Sequence, residues 1–186
     1  MISQRNELLL NAFGLLGISV TLAVAFLFQI LGGELPCPLC LLQRAGFLLL
    51  AVGPVLNICK GPKSAHYGIT ILAAIVGAGF AVRQVLLHIV PGDGGYGSTV
   101  MGLHMYTWSL IIFLGGIVAC AVMLLFRSPE NDAAVETKAT VLRVSVIGSI
   151  AVASVIGLAG LNFASTVVEC GFATCPDNPV SYILLK

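Results

Sequence analysis

The sequence predicts an all-α integral membrane protein, a four-helix transmembrane bundle with a fifth transmembrane helix added. Two observations predict this class. Of the 186 residues, 58% are hydrophobic and only 9% are charged, which is the composition of a chain that lies in a bilayer. The hydrophobic residues also fall into five stretches, each long enough to cross about 30 Å of hydrocarbon as a helix. Residues 1–186 are expected to form one membrane domain, and the net charge of +1 gives no indication of a nucleic-acid partner.

Charged residues mark the ends of most predicted spans. The first span carries no charge and is too long for the apolar core of a cleaved signal peptide. The second ends at Lys60 and the fourth at Arg127, Arg143 precedes the fifth, and Arg83 and His88 interrupt the third. The spans cover about residues 8–33, 41–59, 67–90, 105–126 and 144–168, and residues 169–186 form a tail that contains cysteines.

The basic residues predict the orientation in the membrane. If the five spans alternate in direction, six basic residues fall on one side, and the positive-inside rule assigns that side to the cytoplasm. These residues are Arg5, Lys60, Lys63, Arg127, Lys138 and Arg143. The N-terminus is therefore expected in the cytoplasm. Residues 34–40, the loop of residues 91–104 and the tail are expected on the outer side.

Small residues recur at every fourth position in two of the spans. Such stripes let helix backbones approach closely in lipid, where no hydrophobic effect drives helices together. We therefore expect both stripes to pack inside the bundle. They are Ala73, Gly77 and Ala81 in the third span and Ser149, Ala153 and Gly157 in the fifth.

A Cys-x-x-Cys motif opens the second span. Cys37 and Cys40 are three positions apart, which places them on one face of a helix and within reach of a disulfide. Pro38 favours the first turn of a helix, so both sulfurs are expected near a helix N-terminus, where the helix dipole stabilises a thiolate. Arg44 adds a positive charge one turn after Cys40. The pattern predicts a low-pKa dithiol that exchanges readily at the membrane surface.

Two other interpretations of this motif stay open. A Cys-x-x-Cys pair can be half of a zinc site, but the flanking residues supply no further ligands. The pair can also be a structural disulfide, because exposed thiols outside the cytoplasm oxidise. Redox catalysis remains the favoured interpretation.

Two further cysteines lie on the predicted outer side. Cys170 and Cys175 enclose four residues in a segment rich in turn formers, so they can close a small disulfide loop. We expect them to be a second redox pair that exchanges with the first, or else a bond that only orders the tail. Cys59 and Cys120 are expected to be small buried side chains without a chemical role.

Ionisable side chains within a span are functional candidates. His88 is expected near the outer end of the third span, at the depth of Arg44, with Gln84 on the same helix face. An imidazole and a guanidinium at that depth can bind a quinone carbonyl and stabilise its reduced form. Snorkelling towards the interface explains His88 equally well, and for Arg83 snorkelling or helix pairing is favoured over a catalytic role. Tyr106 and Trp108 are typical of an interfacial aromatic belt, or they wall a quinone ring.

These residues together resemble the disulfide bond formation protein B (DsbB) family of membrane thiol:quinone oxidoreductases. The likeness depends on Cys37 and Cys40 after the first span, on Arg44, and on His88, which corresponds to a family histidine at the quinone site. It covers about residues 8–126. It implies a bacterial inner membrane protein, with a membrane quinone (ubiquinone or menaquinone) as cofactor.

The resemblance also implies a reaction cycle. A DsbA-like thioredoxin-fold periplasmic protein passes electrons through a loop disulfide to Cys37 and Cys40. Cys37 undergoes dithiol exchange, and Cys40 forms a charge-transfer complex with the quinone, which Arg44 and His88 hold. The chain departs from the family at one point, since its loop of residues 91–104 contains no cysteine. We therefore expect Cys170 and Cys175 to replace the loop pair.

Two alternatives to this function remain. A quinone-linked enzyme of the vitamin K epoxide reductase type also combines a small helical bundle with Cys-x-x-Cys chemistry, but the position of the motif before the second span argues against it. A non-catalytic membrane subunit whose disulfides are purely structural is the alternative from another class. It predicts no bound quinone and disulfides that resist mild thiols.

Overall fold

The computed structural model describes residues 2–127 and 146–185. Five helices in this part of the chain are long and apolar enough to cross a membrane, which confirms the predicted fold class. They are α1 (Gln4–Leu31), α2 (Pro38–Lys60), α3 (Ser64–Leu87), α4 (Met105–Phe126) and α5 (Val146–Cys170). Lys138 and Arg143, two of the basic residues that predict the orientation, lie outside the described residues.

The helix ends follow local sequence. Helix α1 begins before the apolar stretch because the side chain of Ser3 accepts a hydrogen bond from the backbone N–H of Asn6 at 3.4 Å and caps the first turn. Helix α2 begins at Pro38, which has no N–H to leave unpaired. Helix α3 ends at Leu87, and His88 is its C-cap rather than part of the helix.

Helices α1 to α4 form an antiparallel bundle in which α2 packs on α1 and α3, and α3 packs on α4. Phe113 of α4 is fully buried and stacks on Phe47 of α2, with ring centroids 4.4 Å apart. Gly77 of α3 faces the Phe113 ring directly, because glycine has no side chain to occupy that space. The predicted close approach is therefore confirmed at Gly77, and Ala81 is buried as well, whereas Ala73 is half-buried.

Helix α5 packs on α1, on the outside of the four-helix bundle. Its buried face is not the one predicted, since Ser149, Ala153 and Gly157 are exposed. The face that packs on the bundle carries Gly148, Ala151, Val155, Asn162 and Glu169. The prediction for this stripe was wrong because a repeat of small residues permits close packing but does not require it. The helix packs on the bundle through another face.

The loop between α3 and α4 contains a short hairpin. Strand β1 (Thr99–Val100) pairs antiparallel with β2 (Leu103–His104). The two residues between them, Met101 and Gly102, both have positive φ, at 53° and 82°, as a two-residue hairpin turn requires. A short 3₁₀ helix, Ile183–Leu185, ends the described tail.

Candidate functional site

The Cys-x-x-Cys motif forms the N-terminus of α2. Cys37 is the N-cap residue, and its Sγ accepts a hydrogen bond from the backbone N–H of Cys40 at 3.2 Å. Cys40 lies in the first helical turn. Both are free thiols, Cys37 buried and Cys40 half-buried. Cys37 thus lies just outside the helix, whereas the prediction placed both cysteines on one helical face.

The two sulfurs are not equivalent. The neighbouring Cys40 side chain and burial raise the pKa of the Cys37 thiol above its ordinary value. This direction is opposite to the low pKa predicted for the pair, because the Cys40 side chain and burial outweigh the field of the helix terminus at Cys37.

Gln84 is a site residue that the sequence analysis did not select. Its side chain is 1% exposed, and its Nε2 donates to Cys37 Sγ at 3.4 Å and to Cys40 Sγ at 3.5 Å. The orientation of its amide is fixed, because Gln43 Nε2 donates to Gln84 Oε1 at 2.5 Å. The amide N–H groups therefore face the sulfurs, where they stabilise negative charge. The available signal was an uncharged polar residue one turn before His88.

Arg44 is buried beside the motif and faces α1. One guanidinium nitrogen donates to Gln29 Oε1 at 2.6 Å, and the other donates to the carbonyl of Ala25 at 2.9 Å. The guanidinium also lies over the ring of Phe26, 4.8 Å from its centroid. Arg44 and Cys40 line the same cavity, so the structure brings these two side chains to one site.

A cavity of about 80 Å³ opens between Cys40, Arg44 and the outer loop. A second, mainly apolar cavity of about 690 Å³ separates α1 from α4 along the bundle. Thr21 lines both cavities, so they adjoin. The first cavity is also lined by Leu22, Ala25, Phe28, Gln43, Phe47, Tyr96, Met105, Tyr106 and Ser109.

His88 does not line the cavity beside Cys40. Its Nδ1 is 3.2 Å from both carboxylate oxygens of Asp93, and its ring stacks on Tyr106 with centroids 5.6 Å apart. Tyr106 does line the cavity. Hydrogen bonds from the backbone N–H of Gly95 and from the side chain of His88 hold the pKa of Asp93 below its usual value. His88 therefore influences the cavity indirectly, through its contact with the Tyr106 ring.

The outer loop is tied to the segment before the motif. Tyr96 donates its hydroxyl hydrogen to the carbonyl of Leu35 at 2.6 Å. The backbone N–H of Ser98 donates to the Glu34 carboxylate at 3.0 Å, and the Ser98 hydroxyl bonds the same group. The loop, which has no cysteine of its own, thus forms one wall of the cavity.

The tail cysteines form a disulfide. Cys170 ends α5 and pairs with Cys175, with Cα atoms 4.6 Å apart. Gly171 has a φ of 62°, a conformation that glycine adopts without strain and that ends the helix. Ser165 of α5 accepts a hydrogen bond from Gln29, which also bonds Arg44, so this end of α5 lies at the same end of the bundle as the motif.

The remaining cysteines are remote from this site. Cys120 is buried within α4, as expected of a small apolar side chain, and lines the larger cavity. Cys59 is exposed near the C-terminal end of α2, so the expectation that it is buried was wrong. Arg83 is exposed on the bundle surface.

Residues 7–97 match the family model described as "Disulfide bond formation protein DsbB". Over these residues, just under half of its length, the chain is similar to that family. A disulfide bond formation protein B of Xanthomonas axonopodis pv. citri is 41% identical over 85 residues, which are 43% of this chain and 49% of that protein. One of Marinobacter nauticus is 42% identical over 77 residues, 39% of this chain and 45% of that protein.

A longer match extends to a disulfide bond formation protein B of Stutzerimonas stutzeri, 26% identical over 148 residues, 60% of this chain and 91% of that protein. The chain spans about half the length of the curated relatives that it matches first. No solved structure gives a significant match. The DsbB match contains the Cys-x-x-Cys motif, Arg44, Gln84 and His88, whereas α4, α5 and the tail disulfide follow it in the chain.

Proposed function

We propose that this DsbB-like chain is a membrane thiol:quinone oxidoreductase that reoxidises a DsbA-like thioredoxin-fold protein in the periplasm. One observation carries the proposal. The amide of Gln84 bonds both sulfurs of a buried Cys-x-x-Cys pair whose second sulfur borders a cavity with Arg44. A structural disulfide needs neither an N–H group aimed at its sulfurs nor a buried cation beside it.

The two adjoining cavities fit a membrane quinone, either ubiquinone or menaquinone. The cavity at Cys40 offers polar groups from Gln43 and Arg44 on one side and the Tyr106 ring on another, and the cavity between α1 and α4 is apolar. Arg44 would hold the ring, with His88 supporting Tyr106. When bound, the quinone accepts two electrons and two protons as the Cys37 and Cys40 thiols become a disulfide.

The tail pair is the shuttle in this proposal. The donor dithiol reduces the Cys170–Cys175 disulfide, and the donor leaves as a disulfide. The two tail thiols then reduce the Cys37–Cys40 disulfide by exchange, which restores the tail disulfide and leaves two thiols beside the cavity. Each step breaks one S–S bond and forms another, so electrons and protons balance. The tail takes the role because the outer loop contains no cysteine.

The orientation follows from the basic residues. Arg5, Lys60, Lys63 and Arg127 all lie at the end of the bundle opposite to the motif, which the positive-inside rule places in the cytoplasm of a bacterial inner membrane. The motif and the tail disulfide then face the periplasm, where a soluble oxidase reaches them.

The test is quinone reduction by purified protein in detergent, with a short-chain ubiquinone as acceptor. Either a reduced DsbA-like oxidase or dithiothreitol serves as donor. We expect Cys40→Ser to abolish reduction with both donors. We expect the double variant Cys170→Ala/Cys175→Ala to lose reduction only with the protein donor, since dithiothreitol reaches the Cys37–Cys40 pair directly.

Cys59→Ala is the matched control, because it removes an exposed thiol at the other end of α2. Its rate should equal that of the wild type. If folded wild-type protein reduces no quinone with either donor, the chain is a non-catalytic subunit and its disulfide is structural. If the tail variant keeps the full rate with the protein donor, the tail is not the shuttle.

A further inference from the structure

Helix α5 and the tail contact the proposed acceptor site through Gln29 of α1. Gln29 is 3% exposed, and its Oε1 accepts from Arg44 at 2.6 Å. A guanidinium has only donors, so it fixes which end of the amide faces it. The Nε2 of Gln29 is thereby directed at α5 and the tail. It donates to Ser165 Oγ at 2.7 Å and to the Tyr182 hydroxyl at 3.2 Å.

A second polar group of α5 is buried on the face that packs on the bundle. Glu169 lies one turn after Ser165, on the same helix face, and is 1% exposed. Neither carboxylate oxygen has a hydrogen-bond partner within residues 2–127 and 146–185. A buried carboxyl without partners is costly and is retained where it serves a function.

We propose that α5 and the tail position Arg44 for the quinone: Ser165 and Tyr182 hold the Gln29 amide, and Gln29 holds the guanidinium. Ser165, Tyr182 and Gln29 are positioning residues, since each acts through Arg44. The inference rests on the proposed function. It assigns the fifth helix a part in the acceptor site, in addition to carrying the tail disulfide.

The test compares the variants Tyr182→Phe and Ser165→Ala/Tyr182→Phe with Ser154→Ala. The control is matched, because Ser154, like Ser165, is a serine of α5 that bonds a polar side chain of α1. Its partner is Ser19, at 2.9 Å, farther along the helices from Arg44. Two quantities are measured with a short-chain ubiquinone: its KM in the reduction assay, and its Kd from quenching of Trp108, the single tryptophan of the chain.

We expect the double variant to raise both the quinone KM and the quinone Kd about fivefold. The reason is that it removes the two hydrogen bonds that hold Gln29, the partner of the charged Arg44. The KM for the protein donor should stay unchanged. Tyr182→Phe alone, a change in the tail outside the bundle, should raise Kd about twofold without affecting the fold. In an Arg44→Lys background the same changes should have no further effect, because their effect passes through the guanidinium.

The inference is overturned if both variants bind quinone as Ser154→Ala does, or if their effects persist in full in the Arg44→Lys background. A wild-type protein that neither binds nor reduces quinone overturns the proposed function itself. A wild type that does both, with variants equal to the control, overturns only the role of α5.

Discussion

At the scale of single residues, the site depends on amides as much as on charges. Gln84 directs N–H groups at both sulfurs, and Gln29 directs its oxygen at Arg44. Each amide is itself fixed by a partner, Gln43 for the first and α5 for the second. A fixed amide stabilises charge without rearranging when the charge appears.

Gln84→Leu should slow the reaction of the Cys40 thiolate with an alkylating agent. In a Cys37→Ser background the lone Cys40 thiol reacts with iodoacetamide as its thiolate, which the Gln84 amide stabilises. Loss of a hydrogen bond to a charged group costs about 1.5–3 kcal/mol; since the sulfur contacts are long, we expect about a fivefold fall in the alkylation rate. The measurement is the rate at fixed pH, by mass spectrometry of the Cys40 peptide.

Arg83→Gln is the control for that experiment. Arg83 is the neighbouring residue, exposed on the bundle surface, so its replacement should leave the alkylation rate of Cys40 within about twofold of the parent. Equal rates in the Gln84→Leu and Arg83→Gln variants would show that the amide does not stabilise the thiolate.

At the scale of the helices, close packing depends on a few glycines. Gly77 of α3 lies against the ring of Phe113, which stacks on Phe47 and is fully buried. The aromatic pair therefore joins α2, α3 and α4 just where Gly77 leaves room. Gly79, two residues later, has no neighbour within 4 Å in the part of the chain that the structure describes.

Gly77→Ala should destabilise the bundle by about 1–3 kcal/mol, because the added methyl group overlaps a ring that cannot move. Gly79→Ala adds the same methyl group to the same helix at a point where no atom of residues 2–127 and 146–185 lies within 4 Å, and it should be neutral or slightly stabilising. The free energy of unfolding, from titration with SDS in mixed micelles, checks both. A Gly77→Ala protein as stable as Gly79→Ala would contradict this packing.

At the scale of the whole molecule, a buried polar network joins four helices at the end opposite to the site. Arg127 after α4 forms an ion pair with Glu7 of α1. Tyr67 of α3 donates to Glu7 at 3.0 Å, and Asn11 donates to the Tyr67 hydroxyl at 2.7 Å. Asn57 of α2 donates to Asn11 at 2.9 Å and completes the connection.

Arg127→Leu should cost about 3–5 kcal/mol of stability, because it removes a buried cation that pairs with the Glu7 carboxylate. Adding Glu7→Gln should recover part of that loss. Arg5→Leu, which removes an exposed arginine at the same end, is the control and should change stability by less than about 0.5 kcal/mol. The free energy of unfolding from the same SDS titration checks these predictions. An Arg127→Leu protein as stable as the wild type would show that this ion pair does not stabilise the fold.

Several features follow from the sequence alone. Length and hydropathy determined five spanning helices, since only a helix satisfies its own backbone in lipid. The spacing of Cys37, Cys40 and Arg44 determined that these residues lie together, because contacts within one helical turn need no tertiary information. The turn-rich spacing of Cys170 and Cys175 likewise allowed the small disulfide loop that the structure contains.

Only the tertiary structure decided which polar residues meet across helices. Lipid is as apolar as a bundle interior, so hydropathy does not distinguish the buried face of α5 from its exposed face, and the predicted stripe was wrong. The contacts of Gln84 with the sulfurs, of Gln29 with α5 and of Glu7 with Arg127 join residues 44 or more positions apart. Their meeting depends on how the helices pack, which no local pattern encodes.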